Sequence, residues 1–282
     1  MANSIAFRQV YTPIIDEVYA TSALTNILED DSMFMENAGQ IFVRKYSVAG
    51  LGDFVRGEGY TKNSVKLEWE PISYDQERGT SLEVDREDET EADGVFVQAS
   101  SELLRAHAAP EVDAARFAKI AGTEGINSKS ETLADGAAVV KALRTCANAM
   151  DNAHVGTENR ILFISVDANG ALEDMDSYKS QKVLNKFGTV KVVPADRFYS
   201  AIEQFDGIEK AGWAPAEGAV GLNFIAIDKK AIAATHKTFI KKFTPDENQE
   251  GDDWMFKYRN KPVYAHIYDN KKNGVYVSMQ EA

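Results

Sequence analysis

The chain has 282 residues and a net charge of −13, with 44% hydrophobic and 27% charged residues. This balance is typical of a folded globular protein and excludes a disordered chain, because segments rich in Val, Ile, Leu and Phe recur along the whole length. The negative charge argues against a protein that binds nucleic acid broadly over its surface, and no apolar run reaches the roughly 20 residues that span a bilayer.

The first 40 residues are predicted to form an N-terminal arm that contains one short helix. Thr12 is a suitable N-cap and Pro13 fits the first helical position. Arg8 interrupts the apolar residues near the start, so the segment does not resemble a secretory signal. The apolar face of the predicted helix consists of Ile14, Ile15, Val18 and Tyr19.

Residues 41–85 change to an alternation of period two. Val65, Leu67 and Trp69 alternate with charged residues, which is the pattern of a strand with one covered face. We interpret the whole stretch, up to Val84, as an extended antiparallel hairpin. Such a hairpin has too little apolar surface to be stable alone, so something outside it should cover it.

A long helix is predicted to begin near residues 86–91, where acidic side chains favour a helix N-terminus. Pro110 should kink or divide this helix, because proline lacks the N–H and crowds the preceding turn. From about residue 130 helices and strands alternate. We expect a helix over 132–151, a buried central strand over 160–166, a short helix over 169–178, strands at 190–193 and 220–227, a basic helix over 229–241, and strands at 254–258, 263–268 and 275–278 with a hairpin turn at Asn273-Gly274.

The order of these elements is an arm, a projecting hairpin, a long helix, an α/β core and terminal strands. A hairpin and an arm without a core of their own, attached to a domain that has one, indicate a subunit that its neighbours complete.

This order resembles the Hong Kong 97-type coat fold of tailed-bacteriophage major capsid proteins, over about residues 3–278. NSIAFRQVYTPIIDEVY resembles the N-arm of these coats, and VKLEWEPISYDQERGTSLEVDREDE resembles the extended loop that returns into the spine helix. APEVDAARFAKIA is similar to the later part of that helix. ENRILFISVDANGAL and VVPADRFYSAI resemble segments of the axial domain, and DDWMFKYRNKPVYAHIYDNKKNGVYV resembles the closing strands. The resemblance rests on the occurrence of all these stretches in the order and spacing of the family.

The resemblance implies a mixed α+β fold with an axial α/β domain, a peripheral domain built on the spine helix, an extended loop and an N-terminal arm. It divides the chain into the arm (1–40), the extended loop hairpin (41–85), the peripheral domain (86–130), the axial domain (131–245) and terminal strands that return to the peripheral or axial domain (246–282).

The implied function is mechanical. Pentamers and hexamers of the subunit would close into an icosahedral virion shell around double-stranded phage DNA, with a separate scaffolding protein and a portal as partners, after assembly in the host cytoplasm. An encapsulin-like nanocompartment shell is the nearer alternative, and an α/β enzyme or small-molecule binding protein is the more distant one.

The sequence predicts no catalytic, cofactor or metal site, and therefore no enzyme. The four histidines, at 107, 154, 236 and 266, match no zinc-ligand spacing. Cys146 is the only cysteine, which excludes an intrachain disulfide and favours a reducing cytoplasm; it lies on the apolar stripe of a predicted helix, where a thiol is inert.

Charge is distributed unevenly along the chain. Residues 83–93 contain seven acids and one base, whereas residues 229–242 contain five lysines and no acid. We favour a solvated helix N-terminus over a divalent-cation site for the acids. A plain solvated face is the commonest role of such a charge run. The two other readings are that the lysines face packaged DNA or that they pair with acids of a neighbouring subunit, and as a hypothesis we favour pairing with the neighbour as a minor contribution. The candidate intersubunit contacts are Ile14, Ile15, Val18, Tyr19, Leu67, Trp69, Ile72, Tyr74, Lys241 and Lys242.

Overall fold

The computed structural model describes residues 23–30, 34–37, 40–52, 54, 56–57, 64–91, 95–175, 178–248 and 251–281. The predicted arm residues at 14, 15, 18 and 19 lie outside these ranges. Helices and strands mix along the described chain, which confirms the predicted α+β class. No helix among the described residues has the length and hydrophobicity that a membrane span requires.

The strands are β1 (Phe34–Asn37), β2 (Gln40–Val48), β3 (Val65–Ile72), β4 (Arg78–Asp85), β5 (Asn127–Ser130), β6 (Arg160–Ser165), β7 (Thr189–Val193), β8 (Ile202–Gln204), β9 (Trp213–Pro215), β10 (Leu222–Asp228), β11 (Ile232–Phe243), β12 (Asp253–Ile267) and β13 (Val275–Met279). The α-helices are α1 (Arg86–Glu91), α2 (Val95–Glu102), α3 (Ala109–Ala121), α4 (Gly136–Asn152), α5 (Val166–Met175) and α6 (Tyr178–Leu184). A π-helical stretch covers Leu103–Ala108, and 3₁₀ helices cover Leu24–Leu28, Thr157–Asn159, Ala195–Arg197 and Asp269–Gly274.

The core forms around a five-stranded sheet with the order β5-β13-β10-β6-β7. Every residue of β6 is buried, with Phe163 packed on one side of the sheet and Leu162 on the other. Helices α4, α5 and α6 cover one face, and α3 with the start of β11 covers the other. An apolar run without alternation is typical of a strand covered on both faces. The predicted buried central strand is therefore confirmed.

Helix α4 begins where the side chain of Asp135 accepts a hydrogen bond from the N–H of Ala138, at 2.7 Å. This is the N-cap geometry that satisfies a free donor of the first turn. The apolar stripe predicted for this helix is buried: Val139, Leu143, Cys146 and Met150. The next helical segment is two helices, α5 and α6, rather than the single one predicted.

The predicted long helix is divided at Pro110, as expected. Pro110 lies in the first turn of α3, and the turn immediately before α3 is π-helical. A proline has no N–H to bond with the preceding turn and its ring crowds that turn, so the helix widens there.

A separate three-stranded antiparallel sheet has the order β11-β12-β4. The predicted basic helix over 229–241 is wrong, because residues 232–241 belong to β11, whose twelve residues form eleven pairs with β12 around an irregularity at Ala234. Lysine favours helices, but Thr238 and Ile240 alternate with Lys237 and Lys241. This alternation places Ile240 against the apolar cluster under the sheet, and Lys237 and Lys241 on the outer face.

Two further predictions about the terminal strands are wrong. β12 is one strand of 15 residues, although it contains Pro262. Pairing with β4 ends at Asn260, so no strand on that side needs an N–H from Pro262, whose carbonyl accepts a hydrogen bond from the N–H of Asp75 at 3.1 Å. Asn273-Gly274 does not close a hairpin, because β12 and β13 belong to different sheets and a 3₁₀ helix connects them.

Only part of the predicted hairpin is one hairpin. β2 pairs antiparallel with β3 from Ile41↔Ile72 to Val48↔Val65. β4 instead pairs with β12. In that sheet Leu82 and Val84 pack against the cluster that contains Phe96 of α2. Pairing with β3 would not bring them to this cluster.

Candidate assembly surfaces

The base of the β2–β3 hairpin packs on the body of the subunit. Val43 and Ile72 contact Ala233 of β11 and Tyr268 at the end of β12. Ile41 is also buried. The hairpin is therefore anchored at one end by an apolar contact within its own chain.

Beyond this base, one face of the hairpin is mostly apolar and exposed; Arg44 lies on it opposite Trp69, with its guanidinium 4.8 Å from the ring centre of Tyr46. Directly opposed residues of an antiparallel pair point to the same face, so the register aligns Tyr46 with Leu67 and Val48 with Val65. We define the apolar hairpin face by its members and their exposed fractions: Tyr46 (52%), Val48 (69%), Val65 (70%), Leu67 (51%) and Trp69 (39%).

The opposite face of the hairpin is charged. Lys45 and Glu70 form an ion pair with 3.8 Å between Nζ and Oε2, and Lys66 and Glu68 lie next to them in the register. A contiguous row of exposed apolar side chains, backed by a charged face, is typical of a surface that another molecule covers.

The structure separates the four loop residues that the sequence singles out as contacts. Leu67 and Trp69 lie on the apolar hairpin face. Ile72 packs at the hairpin base within its own subunit, and Tyr74 is half-buried beyond the end of β3.

Lys241 and Lys242 point to opposite faces of β11. Lys241 is exposed and lies opposite Lys257 of β12. Lys242 is half-buried, with its Nζ 4.7 Å from the ring centre of Phe96 and 4.6 Å from that of Trp254. Burial lowers the pKa of Lys242, and the charge of Glu89 partly opposes this effect. Lys242 therefore has aromatic partners in its own subunit.

The outer face of the three-stranded sheet is strongly basic. Arg259 stacks over Phe239 at 4.4 Å and Lys257 lies 5.6 Å from the ring of Phe243. Ion pairs of 3.0 and 2.8 Å connect Arg259 and Lys261 to Glu77. We define the basic sheet face as Lys237, Lys241, Lys257, Arg259 and Lys261, which alternate with the sheet's buried side chains.

One end of the same sheet is acidic. Arg86 Nη1 lies 3.7 Å from Oδ1 of Asp246 and 3.3 Å from Oδ1 of Asp252, both in the connection between β11 and β12. Further carboxylates lie near these three residues. We define the acidic sheet end as Asp85, Glu87, Asp88, Asp246 and Asp252, all of which are exposed. The basic sheet face and the acidic sheet end therefore lie at separate places on the same sheet.

A buried charge cluster holds residues 23–30 against α3. Asp113, with 0% exposure, accepts hydrogen bonds from the N–H groups of Leu24 and Thr25 at 3.0 and 2.9 Å and from the Thr25 hydroxyl at 2.6 Å. Arg116 is equally buried and donates to Thr25 Oγ1 at 3.0 Å and to Glu29.

His236 completes this cluster from β11, with its Nδ1 2.9 Å from Oε1 of Glu29. We name the set Thr25, Glu29, Asp113, Arg116 and His236 the strap clamp. Sequence reasoning missed it, although two ionisable residues three positions apart on an apolar helix face, Asp113 and Arg116, are its signal.

The part of the chain that the structure describes holds no group of three His, Cys, Asp or Glu side chains that could bind a metal ion. Cys146 is buried, and burial raises the pKa of its thiol well above the ordinary value, so it is held in the protonated, unreactive form.

No family model and no curated protein matches the sequence. Solved structures do match. The virus-like particle from Pyrococcus furiosus aligns with a TM-score of 0.57 and 14% identity, over 94% of this chain and 95% of that chain. The capsid of cyanophage P-SCSP1u gives a TM-score of 0.56 and 14% identity over 88% and 85% of the two chains. The mature capsid of bacteriophage PhiM1 gives 0.54 and 13% over 87% and 83%. Identities this low show a common fold alone: the chain shares the fold of these particles, in agreement with the predicted Hong Kong 97-type coat fold.

Proposed function

We propose that this chain is the major capsid protein of a tailed bacteriophage or prophage. Many copies would assemble as pentamers and hexamers into an icosahedral shell around double-stranded DNA. The observation that carries the proposal is the apolar hairpin face, which is exposed and which no other part of the described chain covers. The shared fold with two phage capsids supports the same function.

A surface of this kind is costly in an isolated subunit and useful in an assembly. Burial of a half-exposed Val, Leu or Tyr side chain contributes about 1 kcal/mol. Five such side chains on each of many copies give a shell whose stability is a sum of weak interfaces. Trp69 and Tyr46 add aromatic area, which is enriched at protein interfaces.

We propose that the arm residues Ile14, Ile15, Val18 and Tyr19 and the loop residues Leu67 and Trp69 contact neighbouring subunits, with Ile72 and Tyr74 supporting the hairpin from its base. The five-part division at residues 40, 85, 130 and 245 belongs to the same proposal. Scaffolding protein and portal are the further partners, DNA is enclosed without sequence recognition, and the subunit has no enzymatic role.

Charge pairing between copies is a second part of the proposal. The basic sheet face of one subunit, including Lys241, would meet the acidic sheet end of the next. Exposed pairs contribute only about 0–1 kcal/mol each, so they orient subunits more than they hold them. Lys242 contributes less than Lys241, because its ammonium group already lies between two aromatic rings.

The apolar hairpin face offers a matched pair of variants. Val65→Asp places a carboxylate on that face, whereas Lys66→Asp places one on the charged face of the same strand. Electron microscopy and sedimentation of the expressed proteins should show closed megadalton particles for the wild type and for Lys66→Asp. Val65→Asp should remain a small, folded species. Normal shells from Val65→Asp, or a wild type that stays a compact monomer, would contradict the proposal.

A nanocompartment shell is the second candidate, because the Pyrococcus furiosus virus-like particle has the same fold. The content of native particles distinguishes the two. Double-stranded DNA inside them supports the capsid, and a protein cargo without DNA supports the nanocompartment.

A further inference from the structure

A cavity of about 580 Å³ opens between the π-helical stretch, the three-stranded sheet and the loop of residues 205–212. Its volume is in the range of small-molecule sites and far exceeds that of one water molecule. Leu103, Val112 and Pro262 supply apolar wall. The widened helical turn before α3 lies directly over this space.

The one guanidinium among the described lining residues donates from all three of its nitrogens. Arg78 donates from Nε to Glu111 at 2.6 Å, from Nη1 to the carbonyl of Phe205, and from Nη2 to the carbonyl of Gly212 at 3.3 Å. These bonds fix the loop over the cavity. The Glu111 carboxylate also balances the charge of the guanidinium, which disfavours an anion at this place.

Two oxygen acceptors in the lining are available to a donor. Asn260 is 3% exposed, and its Oδ1 has no hydrogen-bond partner among the described residues. The two hydrogen bonds that Glu111 accepts within the described chain, from Arg78 and Gln204, both go to Oε1. Asp206 adds a negative charge on the exposed rim.

An unpartnered buried acceptor costs about 1–3 kcal/mol until a donor satisfies it. We propose that this cavity binds an alkylammonium group: a primary amine that donates to Asn260 Oδ1 and Glu111, with an aliphatic chain along the apolar wall. A free amine and a lysine side chain of a second copy share this chemistry. The proposal goes beyond shell formation and does not depend on it.

The test is a calorimetric titration of the full-length protein with n-pentylamine, with 1-pentanol as the neutral analogue of the same chain length. Pentylamine should bind saturably with one site per subunit, and at least about tenfold more tightly than pentanol. Asn260→Leu keeps the volume and removes the acceptor, and should weaken pentylamine binding by about tenfold or more. Equal binding of the two probes, unchanged affinity in a folded Asn260→Leu variant, or no saturable binding to any form of the protein would overturn the proposal.

The source of the amine is separated by titrating small species and particles in parallel. Equal binding to Val65→Asp subunits and to wild-type particles indicates a free amine as the ligand. Binding to the subunits alone indicates that a lysine of a second copy fills the cavity in the shell. A protein that never forms particles would contradict the capsid proposal, whereas the titration of the subunit would still test the alkylammonium site.

Discussion

Asp113 and Arg116 carry opposite charges on one face of α3, and neither is accessible to solvent. A buried charge is tolerated only where partners replace the water it loses. Asp113 has that compensation through three hydrogen bonds to residues 24 and 25, and Arg116 through Thr25 and Glu29. The clamp thus fixes residues 24–29 of the predicted arm to the core.

Asp113→Asn should lower the free energy of unfolding by about 3 kcal/mol, since it removes the buried charge that pairs with Arg197 at 3.3 Å and weakens the hydrogen bonds from residues 24 and 25. Urea unfolding of the subunit measures this change. Glu102→Gln is the control, because its ion pair with Arg105 lies on the surface and should contribute almost nothing. An Asp113→Asn subunit as stable as the control would show that the clamp is not a stabilising unit.

Glu29 should make part of the subunit's stability pH-dependent. Burial opposes ionisation of this carboxyl, but the hydrogen bond with His236 and the charge of Arg116 outweigh it, and its pKa lies below the ordinary 4.5. A carboxylate with a lowered folded-state pKa stabilises the fold above its unfolded pKa, and the contribution disappears as the pH falls through the folded-state value. Unfolding free energies measured from pH 6 to pH 3 should therefore fall more steeply in the wild type than in Glu29→Gln. Parallel curves for the two proteins would show that Glu29 does not contribute to the pH dependence of stability.

Among the secondary-structure elements, β6 and β11 show which parts of the fold the sequence can predict. β6 is apolar on both faces, and its own residues suffice to identify a central strand. β11 carries lysines that favour a helix as readily as a strand, and its strand state depends on pairing with β12, about 25 residues further along the chain. Pairing between distant parts of the chain also decides the place of β4, which pairs with β12 and not with β3 as predicted.

The candidate surfaces also include some features that a local sequence pattern predicts and others that it does not. Alternation in β3 predicted that Leu67 and Trp69 share a face, and the register confirms it. The strap clamp depends on contacts between residues about 90 positions apart, which no local pattern reveals.

Lys241 and Lys242 are adjacent but should respond differently to charge reversal. Lys242→Glu should destabilise the subunit by about 1–2 kcal/mol, because each cation–π contact contributes about 0.5–1 kcal/mol and the new carboxylate would face Glu89. Lys241→Glu should leave unfolding nearly unchanged and reduce only the yield of particles. Urea unfolding and sedimentation of both variants test this, and an equal loss of stability in the two would show that they do not occupy different environments.

Across the whole molecule, the apolar hairpin face adds little to the stability of the single chain, and we propose that it serves assembly. Its side chains are exposed, whereas the hairpin base is closed by Val43 and Ile72 against the body. The free energy of folding should therefore be nearly independent of the distal hairpin. The shell that we propose should depend on it strongly.

A shortened hairpin tests this division of roles. Lys45 and Glu68 lie directly opposite each other, so an Asn-Gly turn can join them in place of residues 46–67. The shortened chain keeps the hairpin base and loses four of the five residues of the apolar hairpin face. Its urea unfolding midpoint should match that of Val65→Asp subunits, because both retain the complete core, and neither should form particles. A shortened chain that unfolds or aggregates would assign the distal hairpin a role in folding, and one that assembles would show that the subunits are held together elsewhere.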